Sequence, residues 1–153
     1  MDSPNSRKKK SSKKAPSPRR DGREAAVQFL YGNELQNELD VSPEKLEEFW
    51  TLRQTKSFAR EFASELVTGI SKHLSEIDGI IRESLDNYSF ERITPVDRNI
   101  LRVGSYEILF AEYIPAQAAI NEAIEISKRL GGDDSPAFVN GILDQIYKSQ
   151  DQD

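Results

Sequence analysis

The sequence predicts an all-α protein, folded as a single bundle of six or seven helices. Apolar residues recur at intervals of three or four along most of the chain, and cap residues followed by proline mark several helix starts. No stretch shows the apolar–polar alternation of a half-buried strand. With 153 residues, 37% of them hydrophobic, the chain is long enough to bury one core.

Residues 1–18 are predicted to be a disordered basic tail that precedes a folded domain of residues 19–153. The tail contains no aromatic or branched aliphatic side chain, so burial cannot offset the entropy of ordering it. Residues 1–23 hold nine Lys or Arg against two Asp, a net charge of +7, whereas the remainder carries −12. A basic end on an acidic body is typical of proteins that bind a polyanion.

The first two helices carry their own start signals. Asp21 and Glu24 fit a capping box, so the ordered chain is expected to begin near Asp21. Ser42 followed by Pro43 predicts a second helix, because serine is a good N-cap and proline suits the first turn. The apolar residues that these helices would bury are Val27, Leu30, Tyr31 and Leu35, then Leu46, Phe49 and Trp50.

The longest periodic segment predicts one long helix or two consecutive ones. Gly69 and Gly79 lie inside it, and each costs up to about 1 kcal/mol relative to alanine. We interpret Gly79 as a break or as a close approach of two backbones. The inward-facing stripe is predicted to be Phe58, Phe62, Leu66, Ile70, Leu74, Ile77, Ile81 and Leu85.

Three more helices follow from similar signals. Residues 94–97 (TPVD) open one helix, and Pro115 begins the next, which ends at residues 131–132 (GG). Ser135 and Pro136 are predicted to cap the last helix. Its inward-facing residues would be Phe138, Val139, Ile142, Leu143 and Ile146.

Several classes of function are excluded by composition. The chain has no cysteine, which excludes disulfides, thiolate-bound zinc and thiol catalysis. Its one histidine, His73, has no partner at metal-binding spacing, and no nucleophile lies near a base in sequence. We therefore expect no enzymatic activity, no metal and no cofactor. No apolar run is long enough to span a bilayer or to serve as a signal peptide, so a cytoplasmic protein is expected.

Five strings stand in order along the chain: residues 19–31 (RRDGREAAVQFLY), 96–109 (VDRNILRVGSYEIL), 120–128 (INEAIEISK), 132–135 (GDDS) and 138–144 (FVNGILD). Together they resemble the NusB family, the RNA-binding transcription antitermination factors. They occur in the order and spacing of that family, from about Arg19 to Ile146. The chain departs from the family pattern in its long extension before Arg19. It also has Pro136-Ala137 where an ordinary or basic residue often precedes the phenylalanine, which removes one possible phosphate contact.

The resemblance implies which residues contact RNA. In the family, the start of the first helix lies along the RNA backbone, so its arginines would contact phosphates. The helix macrodipole disfavours cations at this end, so helix stability does not explain them. Phe138 and Tyr31 would offer rings on which unstacked bases rest, and Asp134 would accept a hydrogen bond from a base amine. The residues predicted to bind RNA are Arg19, Arg20, Arg23, Gln28, Tyr31, Asp134 and Phe138. Asp97 and Arg98 are predicted to contact NusE, a small-subunit ribosomal protein.

Polar residues inside the last two helices have a structural interpretation. Asn121, Glu122 and Asn140 are expected to be buried or half-buried groups that hold helices together. Gly141 is expected to mark a close contact between helices.

The function implied by the resemblance is to bind boxA-type single-stranded RNA in nascent ribosomal RNA together with NusE. The complex would help RNA polymerase to resist termination. Two alternatives remain open. The chain could be a helical protein–protein adaptor whose acidic body is the working surface, or a homodimer that hides its RNA-binding face until release.

Overall fold

In the computed structural model, which describes residues 17–38 and 40–150, the chain forms seven α-helices and a short 3-10 turn at Phe90–Arg92. The all-α prediction is confirmed for these residues. None of the helices described is both long and apolar enough to cross a membrane. The helices are α1 (Pro18–Leu35), α2 (Pro43–Leu52), α3 (Ser57–Lys72), α4 (Leu74–Glu83), α5 (Pro95–Phe110), α6 (Ala116–Leu130) and α7 (Ser135–Gln150).

Helix α1 begins three residues before the predicted start. Ser17 is its N-cap, and its Oγ accepts a hydrogen bond from the backbone N–H of Arg20 at 3.2 Å. The predicted capping box at Asp21 is therefore wrong, and Asp21 instead accepts a hydrogen bond from Arg53 at 2.9 Å. Ser17 and Pro18 end the predicted tail, whose other residues, 1–16, lie outside the described residues, as do residues 151–153.

Two other predicted caps are confirmed. Ser42 Oγ accepts from the N–H of Lys45 at 3.2 Å, and Thr94 Oγ1 accepts from the N–H of Asp97 at 3.2 Å. In both cases proline occupies the first turn. A serine or threonine before proline is a purely local signal, which explains why sequence alone located these helix starts.

The long periodic segment forms two helices, and the break lies at His73 rather than Gly79. His73 is the C-cap of α3 and the N-cap of α4. Its ring stacks on that of Phe110, with the ring centres 4.1 Å apart. A Cβ on Gly79 would meet nothing within 4 Å, so Gly79 marks no close approach. Phe58, predicted to face inward, is 52% exposed.

Helix α5 lies at the centre of the bundle, in contact with α1, α3, α4, α6 and α7. Its buried side chains join a core to which all seven helices contribute. Its Gly104 lies directly against α7: a Cβ there would come within 2.6 Å of Leu143 Cδ1. The largest fully buried apolar side chains are Ile70, Ile77, Ile81, Ile100, Leu101, Ile120, Ile126, Leu143 and Ile146.

The start of α7 differs from expectation, and so do three residues with a predicted structural role, one in α6 and two in α7. Ser135 is the first residue of the helix, and its Oγ accepts from the N–H of Gly132 at 3.0 Å instead of capping the helix. Asn121 and Asn140 are exposed, so neither holds helices together from a buried position. Gly141 is also exposed, and a Cβ there would meet nothing within 4 Å.

Candidate nucleic-acid interface

Two of the three arginines in the first turns of α1 reach the surface. Arg19 is exposed, with its guanidinium carbon 5.7 Å from the ring centre of Phe62 and 5.6 Å from that of Tyr113. Arg20 is partly exposed and donates two hydrogen bonds to the carboxylate of Glu122, at 2.8 and 2.9 Å. Both cations can approach a phosphate without unfolding the helix.

Arg23 does not have the exposure expected of a residue that contacts RNA. Its Nε donates to both carboxylate oxygens of Glu107, at 2.8 and 3.0 Å, and the residue is only 5% exposed. Burial raises the pKa of Glu107, and the hydrogen bond from Arg23 opposes that rise. As it stands in the fold, Arg23 joins α1 to α5.

Glu122 links α6 to the same arginines, as the structural interpretation of this residue expected. Its half-buried carboxylate accepts the two hydrogen bonds from Arg20 and lies 3.8 Å from Nη1 of Arg23. The hydrogen bond from Arg20 holds the pKa of Glu122 below its usual range, although burial acts against it. The start of α1 is therefore fixed to α5 and α6 by charged groups.

Gln28 and Tyr31, farther along α1, are both half-buried. The Oε1 of Gln28 accepts a hydrogen bond from Nε of Arg53 at 2.7 Å, and the same guanidinium binds Asp21. The amide nitrogen of Gln28 has no acceptor among residues 17–38 and 40–150. Both residues lie on the same helix as the three arginines.

A cleft of about 780 Å³ opens where the end of α4, the start of α5 and the start of α7 meet. It brings together Asp97 at the start of α5, Asp134 just before α7 and Phe138 at the start of α7. These residues lie up to 41 positions apart in sequence. None of the predicted residues of α1 lines this cleft. The predicted site is thus divided between a cationic helix end and a separate cleft.

An aromatic pair forms one wall of the cleft. Phe138, in the first turn of α7, is half-buried, and its ring centre lies 5.6 Å from that of Tyr88. Tyr88 is 46% exposed and belongs to the connection between α4 and α5. Sequence analysis missed Tyr88 because it belongs to none of the five strings and to no periodic stripe. Two partly exposed rings side by side provide a surface on which bases can stack.

The cleft is acidic. Five carboxyl side chains line it, and no lysine or arginine does. Asp97 is 9% exposed, and its Oδ1 has no hydrogen-bond partner within the described part of the chain. Such a surface repels phosphate and favours groups that donate hydrogen bonds, such as the amino groups of bases or the cations of a protein. The five acidic residues are Glu83, Asp86, Asp97, Asp133 and Asp134.

Arg98 lies next to Asp97 in sequence but faces into the bundle. Its guanidinium pairs with Glu34 and donates to the backbone oxygens of Phe90 and Ile93, at 3.1 and 2.9 Å. The environment of Glu34 holds its pKa below the usual value: burial opposes ionisation, but hydrogen bonds from Arg98 and Asn99 outweigh it. Arg98 thus connects α5 to the end of α1.

Arg129 is a further candidate for contact with RNA, which the sequence pattern did not suggest. It lies in the last turn of α6, is exposed, and pairs with the buried carboxylate of Glu24 on α1. The loop that follows it, residues 131–134, borders the cleft. A cation in the last turn of a helix is favoured by the macrodipole, so its sequence position alone gave no signal of function.

Comparisons with known proteins identify the family. A model of the NusB family matches residues 20–148, which include every predicted site residue except Arg19. The chain belongs to the NusB family. It is 43% identical over 132 residues to the transcription antitermination protein NusB of Desulfotalea psychrophila, a match that covers 84% of this chain and 94% of the relative. The corresponding protein of Myxococcus xanthus is 39% identical over 132 residues, with 84% and 93% covered.

Solved structures of the family have the same fold. T. maritima NusB superposes with a TM-score of 0.76 at 38% identity, covering 88% of this chain and 93% of that one. A crystal structure of antitermination factors NusB and NusE in complex with dsRNA superposes with a TM-score of 0.77 at 31% identity, covering 88% and 99%. The resemblance identified from the five strings is therefore confirmed along most of the chain.

Proposed function

We propose that this protein is an RNA-binding transcription antitermination factor that acts on boxA-type single-stranded RNA of ribosomal RNA transcripts. Family membership supports the general function, since its relatives are transcription antitermination proteins. A protein of this fold has been crystallised with NusE and RNA. The observation that carries the proposal on this chain is the acidic cleft with its Phe138–Tyr88 wall.

The geometry favours a division of work between two surfaces. Arg19 and Arg20 at the start of α1, with Arg129 at the end of α6, supply cations for the RNA backbone. In the cleft, Phe138 stacks with an unstacked base, and Asp134 accepts a hydrogen bond from a base amino group.

The remaining predicted residues receive different roles in this proposal. Gln28 and Tyr31 are half-buried, so each presents only part of its side chain to RNA. Gln28 donates a hydrogen bond to RNA from its amide nitrogen, and Tyr31 supports the RNA path beside it. Arg23 and Arg98 act as positioning residues, because their guanidinium groups are engaged inside the bundle. Asp97 faces NusE, whose positive groups would meet its unpartnered oxygen.

The mechanism is tethering, in which no bond is made or broken. RNA, this protein and NusE form one unit that associates with RNA polymerase and makes it resist termination. Binding two ligands at once raises the effective concentration of each near the polymerase. This function places the protein in the cytoplasm, where nascent transcripts are made.

A titration of labelled boxA-type RNA, with and without NusE and over a series of salt concentrations, tests the proposal. We expect the single strand to bind more tightly than a scrambled strand or a duplex of the same sequence, and NusE to tighten binding further. Equal affinity for all three RNAs would reduce the interaction to non-specific attraction by the basic end of the chain.

The acidic cleft also favours a second candidate, a protein–protein adaptor without RNA affinity of its own. The five carboxylates of the cleft, which include Asp97 with its unpartnered oxygen, suit a basic protein segment as well as a base. The adaptor would bind NusE in the absence of RNA and show no salt-dependent RNA binding. Light scattering with and without RNA separates both candidates from a homodimer that hides its RNA-binding face.

A further inference from the structure

A second groove lies between the start of α1 and α3, and Arg19 is its one residue with a role in the proposed function. Phe58, Glu61 and Glu65 of α3, Tyr113 of the α5–α6 connection and Arg19 of α1 line it, enclosing about 280 Å³. Phe58 and Tyr113 are 52% and 61% exposed, the most exposed phenylalanine and tyrosine among the described residues. An adjoining hollow of about 360 Å³ shares Glu65 and Tyr113.

The chemistry of this groove suits a cation. Arg19 already lies over the rings of Tyr113 and Phe62, with distances of 5.6 and 5.7 Å, which shows that these ring faces accept a positive group. Glu61 and Glu65 are exposed, and no lysine or arginine of residues 17–38 or 40–150 lies within ion-pair distance of either. Two carboxylates and an exposed tyrosine ring therefore remain for a further cation.

We propose that this groove binds lysine side chains of the chain's own N-terminal segment, residues 7–14, defined here as the arm. The arm contains six cations, Arg7, Lys8, Lys9, Lys10, Lys13 and Lys14, whose charge is opposite to that of the groove. Lys13 and Lys14 are three or four residues from Ser17, the N-cap of α1, a span of about 10–14 Å when extended. Arg19, two residues beyond Ser17, already lines the groove, so the arm begins within reach of it.

Docking of the arm is reversible and sensitive to salt. Each exposed ion pair contributes little, but the short tether gives the lysines a high effective concentration at the groove. Screening over about 3 Å at roughly 1 M salt removes most of the attraction. Where the protein binds RNA as proposed, the lysines of the arm leave Glu61 and Glu65 and bind RNA phosphates instead. The groove therefore retains the arm until RNA binds.

Carbodiimide cross-linking of the full chain without RNA tests the docking itself. This reagent joins a lysine amine to a carboxylate in contact with it, and mass spectrometry identifies the joined peptides. We expect products that link Lys13 or Lys14 to Glu61 or Glu65. Products that link these lysines equally to carboxylates elsewhere would overturn the proposal. A mixture of heavy-isotope and light chains shows the source, and mixed heavy–light products would assign the groove to a second copy instead.

A pair of charge variants supplies an independent measurement. Glu61→Gln/Glu65→Gln removes the carboxylates of the groove, while Glu44→Gln/Glu47→Gln makes the same charge change at exposed positions on α2. At low salt, trypsin should cleave after Lys13 and Lys14 several-fold faster in the groove variant than in the wild type or the control. At roughly 1 M salt the three rates should converge. Equal rates at low salt would overturn the proposal.

RNA titration of the same variants separates this inference from the proposed function. If both hold, the groove variant binds boxA-type RNA more tightly than the control variant does, because its arm is released. If neither protein binds RNA but the cross-links form, the proposed function fails and the docking stands. If RNA binds with the same affinity to both variants and no cross-links form, the docking fails and the proposed function stands.

Discussion

Arg23 and Glu107 form a buried ion pair between α1 and α5. The Nε of Arg23 lies 2.8 and 3.0 Å from the two carboxylate oxygens, and the two side chains are 6% and 1% exposed. The residues are 84 positions apart in sequence, so the pair depends on the correct packing of the two helices. A buried pair of this kind is costly to break, because removal of one partner leaves an uncompensated charge.

Replacing Arg23 with methionine is expected to lower the free energy of unfolding by about 3–5 kcal/mol, as measured by urea denaturation. The RNA affinity of the folded fraction should not change, since the guanidinium does not reach the surface. The double variant Arg23→Met/Glu107→Met should recover much of the lost stability, because it leaves no unpaired charge.

Arg19→Met is the matched control for Arg23→Met, because Arg19 lies near Arg23 on α1 but is exposed. Its free energy of unfolding should change by less than about 1 kcal/mol. RNA affinity should fall, and the slope of log K against log salt should become shallower by about 0.7–0.9, the share of one phosphate contact. If Arg23→Met instead kept its stability and lost RNA affinity, Arg23 would be a direct RNA contact.

Phe138→Ala tests whether the cleft reads bases by stacking. We expect a loss of about 1–3 kcal/mol in RNA affinity with an unchanged salt slope, because no phosphate contact is removed. Some stability should also be lost, but less than the about 3–5 kcal/mol of a fully buried phenylalanine, since this ring is half-buried. RNA anisotropy titrations and urea denaturation of one variant give both quantities.

Leu52→Ala, which removes an 89% exposed apolar side chain of α2 outside the cleft and outside the groove, is the control for Phe138→Ala and should leave RNA affinity intact. An unchanged RNA affinity of folded Phe138→Ala would remove this ring from the RNA site.

Deletion of residues 1–16 tests the basic end of the chain. The truncated protein should keep its fold, bind RNA more weakly, and show a shallower dependence of log K on log salt, because cations that displace counterions are lost. A longer deletion through Pro18 also removes the Ser17 cap and should cost a further 0.5–2 kcal/mol or so of stability. Identical affinity and slope after the shorter deletion would make the segment a solubilising tail.

The features that sequence predicted correctly are those with local causes. Ser42 and Thr94 each cap a helix through a hydrogen bond to an N–H three residues ahead, and proline follows both. The start of α1 has the same signal at Ser17 and Pro18, but the Asp21–Glu24 pattern also fits a helix start and predicts one that is three residues too late.

The features that sequence did not predict depend on contacts between distant segments. Arg23 is buried because it pairs with Glu107 on another helix. Tyr88 lines the cleft because α7 brings Phe138 beside it. No glycine or proline stands at the break between α3 and α4, where His73 instead stacks on Phe110. No pattern of spacing encodes such partners, since each is fixed only when the bundle packs.

The interaction of Glu34 with Arg98 predicts a specific dependence of stability on pH. A carboxyl whose pKa is lowered in the folded state stabilises the fold above its unfolded pKa, about 4.3, and loses that contribution as the pH falls through the folded pKa. Glu34→Gln should therefore be less stable than the wild type at pH 7, and the difference should narrow below about pH 4.3. Urea denaturation at several pH values measures it, with exposed Glu47→Gln as the control. A difference that stayed constant with pH would show that the charge of Glu34 does not matter.

Two glycines on the facing helices α5 and α7 should respond in opposite directions to alanine. Gly104→Ala places a Cβ within 2.6 Å of Leu143 Cδ1, and Leu143 is fully buried, so overpacking should cost about 1–3 kcal/mol. Gly141→Ala meets open space inside α7 and should raise the free energy of unfolding by up to about 1 kcal/mol, because alanine favours the helix. The close contact expected at Gly141 is thus made by Gly104 instead. Urea denaturation of both variants decides, and a Gly104→Ala protein as stable as the wild type would mean that α5 and α7 lie farther apart than described.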